Sequence, residues 1–100
     1  MSNVIFDPRE AAAYYDGDAI SRFYQECWGG EDIHIGRYPT GNESVADASA
    51  DMTRYLLECA GVGEGQRVLD IACGYGGTVR TLARMGCHAK GIDISQTCVD

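Results

Sequence analysis

An α/β fold is predicted, built on a parallel strand–helix–strand unit in residues 62–100 with a helical segment in front of it. Three observations carry this. Val68-Leu69-Asp70-Ile71-Ala72 is a short apolar run holding one acid, as a buried strand reads. Gly74, Gly76 and Gly77 then make a bend that opens a helix-compatible stretch. A second apolar segment ends in Gly91-Ile92-Asp93-Ile94, so the acid falls at a strand tip. A right-handed crossover pairs two such strands in parallel.

The elements follow in chain order. Ala11 to Tyr15 is apolar and aromatic and is broken by Asp16-Gly17-Asp18. Asp18 is the expected cap of a helix over Ala19–Trp28, whose Ile20, Phe23, Tyr24, Cys27 and Trp28 make one face. Gly29-Gly30 stops it. Glu31 to Tyr38 reads as a loop with extended character, and Pro39 to Asn42 as a turn. Ser44 with Asp47 forms a capping box, with Asp in place of Glu, for a helix carrying Ala48, Met52, Tyr55, Leu56 and Cys59 on one face. Gly61 ends that helix, and Gly63 to Gln66 turns into a strand over Arg67–Ala72. A helix follows over Thr78–Arg84, stopped by Gly86, then a strand over Ala89–Ile94. Ser95 caps a further helix. The helix over 47–60 is expected to cover part of one sheet face, leaving much of the sheet open.

The chain has 100 residues, so it holds one domain or less. Its 15 acids outnumber its 8 Lys and Arg, and the net charge of -7 repels nucleic acid backbones and anionic membranes. No stretch approaches the ~18 apolar residues of a membrane span. Residues 1–13 do not read as a signal peptide. The 5 cysteines include no Cys-x-x-Cys pair, which argues against a disulfide scaffold or zinc site and fits reduced thiols in a cytoplasmic protein. Cys73, inside the glycine turn, is read as a small filler and not a nucleophile.

Glycines at 74 and 76 let backbone approach a ligand closely. The helix behind them aims free N–H groups at a negative ligand group, and an acid at the next strand tip is placed to hold a ribose hydroxyl pair. A dinucleotide fingerprint, Gly-x-Gly-x-x-Gly, needs a glycine where Val79 stands. That mismatch counts against nicotinamide or flavin dinucleotides, and a glycine turn with no ligand is the plainer alternative. The pattern of Asp70, Gly74, Gly76 and Asp93 resembles the first two motifs of class I S-adenosylmethionine (SAM) methyltransferases. Ala72 stands at the first glycine, read as a small departure near strand geometry. Tyr14-Tyr15-Asp16, Phe23-Tyr24 and above all Trp28-Gly29-Gly30-Glu31-Asp32-Ile33-His34-Ile35-Gly36-Arg37-Tyr38 resemble the N-terminal region of sarcosine/dimethylglycine N-methyltransferases, which complete glycine betaine. The resemblance runs from about residue 11 to 95.

That resemblance implies a Rossmann-like class I fold of which this chain carries the N-terminal helical lid, residues 1–61, and the first β-α-β of the SAM-binding sheet, residues 62–100. It implies SAM as cofactor and a small amine as substrate, with no metal. Asp70, Ala72, Gly74, Tyr75 and Gly76 would line the methionine part of SAM, Asp93 would hold the ribose and Ile94 would pack near adenine. Aromatic faces suit a sulfonium through cation–π attraction of ~0.5–2 kcal/mol, so Trp28 and Tyr38 are cofactor candidates and Tyr14 a substrate candidate. The Tyr15 hydroxyl is a candidate for orienting the sulfonium or the amine. His34 could take a substrate proton, since its unperturbed pKa is near ~6.5, against the plainer role of bonding its own loop. Arg37 could pair a carboxylate, or lie at the surface. Glu31 or Asp32 would shape the lid. The rival readings are an O- or C-methyltransferase of another small molecule, and a non-catalytic SAM- or nucleoside-binding fragment. Residues 1–100 alone are not expected to complete a catalytic cycle.

Overall fold

A computed structural model describes residues 7–29 and 32–99. The expectations for residues 1–6, Gly30, Glu31 and Asp100 lie outside the described residues. The order is α1 (Pro8–Asp16), α2 (Asp18–Phe23) running into a π-helical turn (Tyr24–Trp28), α3 (Val45–Cys59), β1 (Arg67–Ile71), α4 (Gly77–Arg84), β2 (His88–Ile92) and α5 (Gln96–Val99). Among the described residues no helix is long and apolar enough to cross a membrane.

Local chemistry sets most of these boundaries. Asp7 caps α1 by accepting the Arg9 N–H at 2.9 Å, and Pro8 opens the helix where its missing N–H costs nothing. Asp18 is the first residue of α2 and not its cap: Gly17 holds the cap position and offers no side-chain bond. Ser44 caps α3 by accepting the Asp47 N–H at 3.1 Å. Helices α3 and α4 end alike. Gly61 and Gly86 turn left-handed, and the N–H groups of Val62 and Cys87 reach back to the carbonyls of Leu57 and Leu82. This is the six-to-one closure that glycine at that position permits.

The two strands pair in parallel, with Asp70 opposite Gly91 and Ile71 opposite Ile92. Both end earlier than expected. Ala72 turns to φ 62, leaving β1 at Ile71. Asp93 draws its own chain out of the ladder by accepting the Ser95 N–H at 2.8 Å, leaving β2 at Ile92. Gly91 lies so close to Val79 of α4 and to Cys73 that a Cβ there would sit 2.7 Å and 2.8 Å from them. That face of the sheet is the covered one. On the other, Leu69, Ile71 and Ile92 stand exposed.

Helix α3 departs from its expected face. Ala48, Ser49 and Thr53 are buried, whereas Tyr55, Leu56 and Cys59 are exposed. The cause is its partner, which is the extended segment 32–38. Arg37 N–H donates to the Ala48 carbonyl at 2.9 Å, and the Ser49 hydroxyl donates to the His34 carbonyl at 3.3 Å. Backbone pressed on backbone favours small and hydroxyl side chains over leucines. Gly36 makes the approach possible, since a Cβ there would meet Ala48 Cβ at 2.5 Å.

Candidate functional site

The strand ends and the helical segment enclose a cavity of about 470 Å³. Its wall is made by Ala11 and Tyr15 of α1, by Asp32, Ile33 and His34 of the extended segment, and by Asp70 with the glycine turn 72–74. Thr78 of α4, Asp93, Ile94 and Cys98 complete it. This volume lies within the ~300–1,000 Å³ common for small-molecule sites, and the cavity opens at the carboxyl ends of parallel strands, where α/β folds bind ligands.

Asp93 organises the mouth. Its Oδ2 accepts the Gly74 N–H at 2.8 Å and its Oδ1 accepts the Ser95 N–H at 2.8 Å. A carboxylate offers about four acceptor sites, so two remain for hydroxyl donors of a ligand. Gly74 is left-handed, φ 56, and a Cβ there would come 3.3 Å from Ile33. Ala72 departs from the sequence expectation. At φ 62 it is left-handed and not strand-like, a conformation that costs a non-glycine residue ~1–2 kcal/mol. The substitution of alanine for the motif's first glycine is therefore a strained one.

Three carboxylates, Asp32, Asp70 and Asp93, line one cavity. Burial pushes the Asp70 carboxyl above the usual carboxylate range, and repulsion from Asp32 and Asp93 adds to it, against an opposing contribution from His34. Burial also raises the Cys73 thiol, with Asp93 and Asp70 adding to the rise, so this thiol stays protonated and is a poor nucleophile. Such a wall favours a cationic ligand with hydroxyl donors. Among the described residues no His, Cys, Asp and Glu side chains converge as metal ligands.

The remaining sequence candidates divide by position. Tyr15, His34, Asp70, Ala72, Gly74, Asp93 and Ile94 meet at the cavity. His34 is held on both ring nitrogens: Nε2 lies 2.9 Å from Thr53 Oγ1 and Nδ1 lies 3.1 Å from the Ile35 carbonyl. Nδ1 faces a carbonyl and so donates, which leaves Nε2, against the Thr53 hydroxyl, as the nitrogen that could take a proton. Tyr75 and Gly76 face a smaller depression behind the turn, with Arg80 and Val99. Trp28 is not in the cavity wall; it packs against Phe23 and Tyr24, with ring centroids 6.1 and 5.5 Å away. Tyr14 is exposed and meets Tyr15 edge-on at 5.0 Å. Tyr38 is exposed and outside the cavity wall. Arg37 stacks 4.2 Å above the Tyr55 ring and pairs with Asp51 at 3.5 Å, away from the cavity.

Sequence reasoning did not single out Ala11, Ile33, Thr78 or Cys98 as lining residues. Their signals were ordinary: Ala11 lies one helical turn before Tyr15, Ile33 sits between Asp32 and His34, and Thr78 follows the glycine turn.

No protein-family model matches the chain. It is 48% identical over 75 residues to the dimethylglycine N-methyltransferase of Parasynechococcus marenigrum, a match covering 74% of this chain and 27% of that protein. It is 39% identical over 82 residues to the sterol 24-C-methyltransferase of Eremothecium gossypii, covering 81% of this chain and 21% of that one. In fold it matches a crystal structure from Galdieria sulphuraria described as a sarcosine dimethylglycine methyltransferase. The TM-score there is 0.67 at 37% identity, over 85% of this chain and 34% of the other. The chain thus spans well under half the length of these proteins. Its fold is part of a Rossmann-like methyltransferase fold. Within that class the chain resembles the sarcosine/dimethylglycine N-methyltransferases in both sequence and structure.

Proposed function

We propose that the protein carrying this chain is a SAM-dependent N-methyltransferase acting on a small amino acid amine, sarcosine or dimethylglycine, to give betaine. The observation that carries the reading is Asp93 at the strand tip. It is bonded to the Gly74 N–H at the mouth of a cavity that Asp70, Asp32 and Tyr15 also line. The fit to SAM rests on the wall chemistry: hydroxyl-accepting capacity at Asp93, acidic groups for an ammonium and a sulfonium, and the amino end of α4 near Thr78 for a carboxylate.

SAM, when bound, supplies a methyl group on a sulfonium, transferred by in-line displacement to the amine nitrogen. The chain's part is binding and orientation, which can contribute up to ~7–11 kcal/mol in well-oriented cases. Asp93 would hold the ribose hydroxyls. Asp70 would face the methionine ammonium. Tyr15, which lines the cavity with Ile33 and Gly74, would present its ring and hydroxyl at the reacting end. Of the aromatic candidates, Tyr15 has the position for this, since Trp28, Tyr38 and Tyr14 lie outside the cavity wall.

A second reading has its own support. A sterol C-methyltransferase is 39% identical over 82 residues, so a lipid acceptor methylated on carbon is the alternative. Calorimetry with SAM tests the site and labelled SAM tests the acceptor. The expected results are binding near micromolar, about -8 kcal/mol, lost in Gly74→Val, and label passing to dimethylglycine but not to a sterol. Equal binding of NAD, or normal binding by Gly74→Val, overturns the site. Label appearing in the sterol alone overturns the acceptor.

A further inference from the structure

An acid in the last turn of a helix opposes the helix dipole, and Asp16 ends α1 in that way. Its partners lie 79 and 81 positions away in sequence. Asp16 Oδ1 accepts the hydroxyl hydrogen of Ser95 at 2.6 Å and the N–H of Thr97 at 3.0 Å. Ser95 is fully buried, and its N–H donates to Asp93 Oδ1 at 2.8 Å. The Ser95 hydroxyl oxygen also accepts the Cys98 N–H at 3.3 Å. Asp16 thus holds the turn between β2 and α5 from outside, while Asp93 holds the same turn from the cavity side. Tyr15 precedes Asp16, and Ala11 lies one turn earlier; both line the cavity. A weaker second tie joins α2 to the glycine turn, with Tyr75 Oη 3.4 Å from Ser21 Oγ.

We propose that Asp16 is a positioning residue: it straps α1 to the turn after Asp93, and so holds Tyr15 and Ala11 over the ligand cavity. The strap joins the lid to the turn that carries the ribose-binding acid, so occupancy at Asp93 and closure of α1 act on a shared element. This role rests on the proposed SAM site, but the strap itself can be read without a ligand.

The test uses the protein carrying this chain with Asp16→Ala and Asp16→Asn, read by amide hydrogen exchange and by SAM calorimetry. Without ligand, Asp16→Ala is expected to speed exchange in residues 8–16 by about tenfold or more, with β1 and β2 unchanged, as local opening predicts. Its SAM affinity is expected to fall about tenfold, the scale of the net contribution of one ordinary hydrogen bond. Asp16→Asn keeps an oxygen that accepts from both Ser95 and Thr97, so it should stay within about threefold of the parent on both readouts. Unchanged exchange in residues 8–16 of Asp16→Ala overturns the strap. Loss of protection in β1 and β2 as well overturns it too, since Asp16 would then hold the fold and not the lid. If Asp16→Asn behaves like Asp16→Ala, the acceptor geometry is not what matters, and the proposal fails. If the parent does not bind SAM while the exchange pattern holds, the cofactor reading fails and the strap stands.

Discussion

Ala72 and Asp70 lie two residues apart in the glycine-turn motif, and each holds a cost in the folded chain. Ala72 is left-handed at φ 62. Replacing it by glycine removes a strain of ~1–2 kcal/mol and adds ~0.5–1 kcal/mol of unfolded-state freedom. Ala72→Gly is therefore expected to gain up to about 1.5 kcal/mol by urea unfolding. A loss of stability would mean that the alanine methyl has packing value at the cavity wall. Asp70 has its folded pKa raised above 3.8, by burial first and by Asp32 next. The folded chain therefore binds this proton more readily than the unfolded chain does. Stability from this group falls as pH rises through the window between the two pKa values, and the ionised carboxylate is a net cost at neutral pH. Asp70→Asn should raise the melting temperature at pH 7, and the gain should vanish as pH drops below the unfolded value. If Asp70 faces the SAM ammonium, the same variant should weaken SAM binding. Higher stability with weaker binding is the expected pair.

At the scale of elements, the contact between the extended segment and α3 is the most sterically demanding. A Cβ on Gly36 would lie 2.5 Å from Ala48 Cβ and 2.7 Å from its carbonyl carbon. The second of these is backbone, which cannot rotate aside. Gly36→Ala is expected to cost ~1–3 kcal/mol, the range for overpacking. It should also loosen His34, whose ring is anchored to Thr53 of α3 at 2.9 Å. Thermal unfolding with NMR of the His34 ring checks both parts. An unperturbed His34 signal in a destabilised variant would uncouple the segment from the helix. Gly36 needs no left-handed turn, so its sequence signal was weak. Close approach, unlike a turn, leaves no mark in neighbouring residues.

For the whole molecule, the buried apolar core is small: Ala48, Leu82, Cys87 and Cys98 are its buried apolar residues among those described. Leu69, Ile71 and Ile92 present exposed apolar surface on one side of the two-stranded sheet. A two-stranded unit is marginal by itself. The 100-residue chain is expected to bind an apolar dye and to melt broadly, and Ile71→Thr should lower the dye signal. A sharp transition without dye binding would show that another copy or another segment covers this face in solution.

Sequence alone determined what is decided over a few residues. The Ser44 cap, the glycine closures at Gly61 and Gly86, the strand–turn–helix order and the acid at the second strand tip were all legible. Each depends on φ preferences or on hydrogen bonds spanning three to five positions. The ends of β1 and β2 were misplaced because Ala72 turns left-handed and the Asp93 carboxylate accepts the Gly74 and Ser95 N–H groups. Contacts across the fold were decided only by tertiary structure. Gly74 meets Asp93 across 19 positions, His34 meets Thr53 across 19, and Asp16 meets Ser95 across 79. The same packing placed Tyr15 at the cavity and left Trp28, Tyr38 and Arg37 outside its wall, although all are aromatic or cationic residues of one N-terminal segment. Residue type states what chemistry a side chain can perform. Only the packing of helix on strand determines which side chains share a cavity.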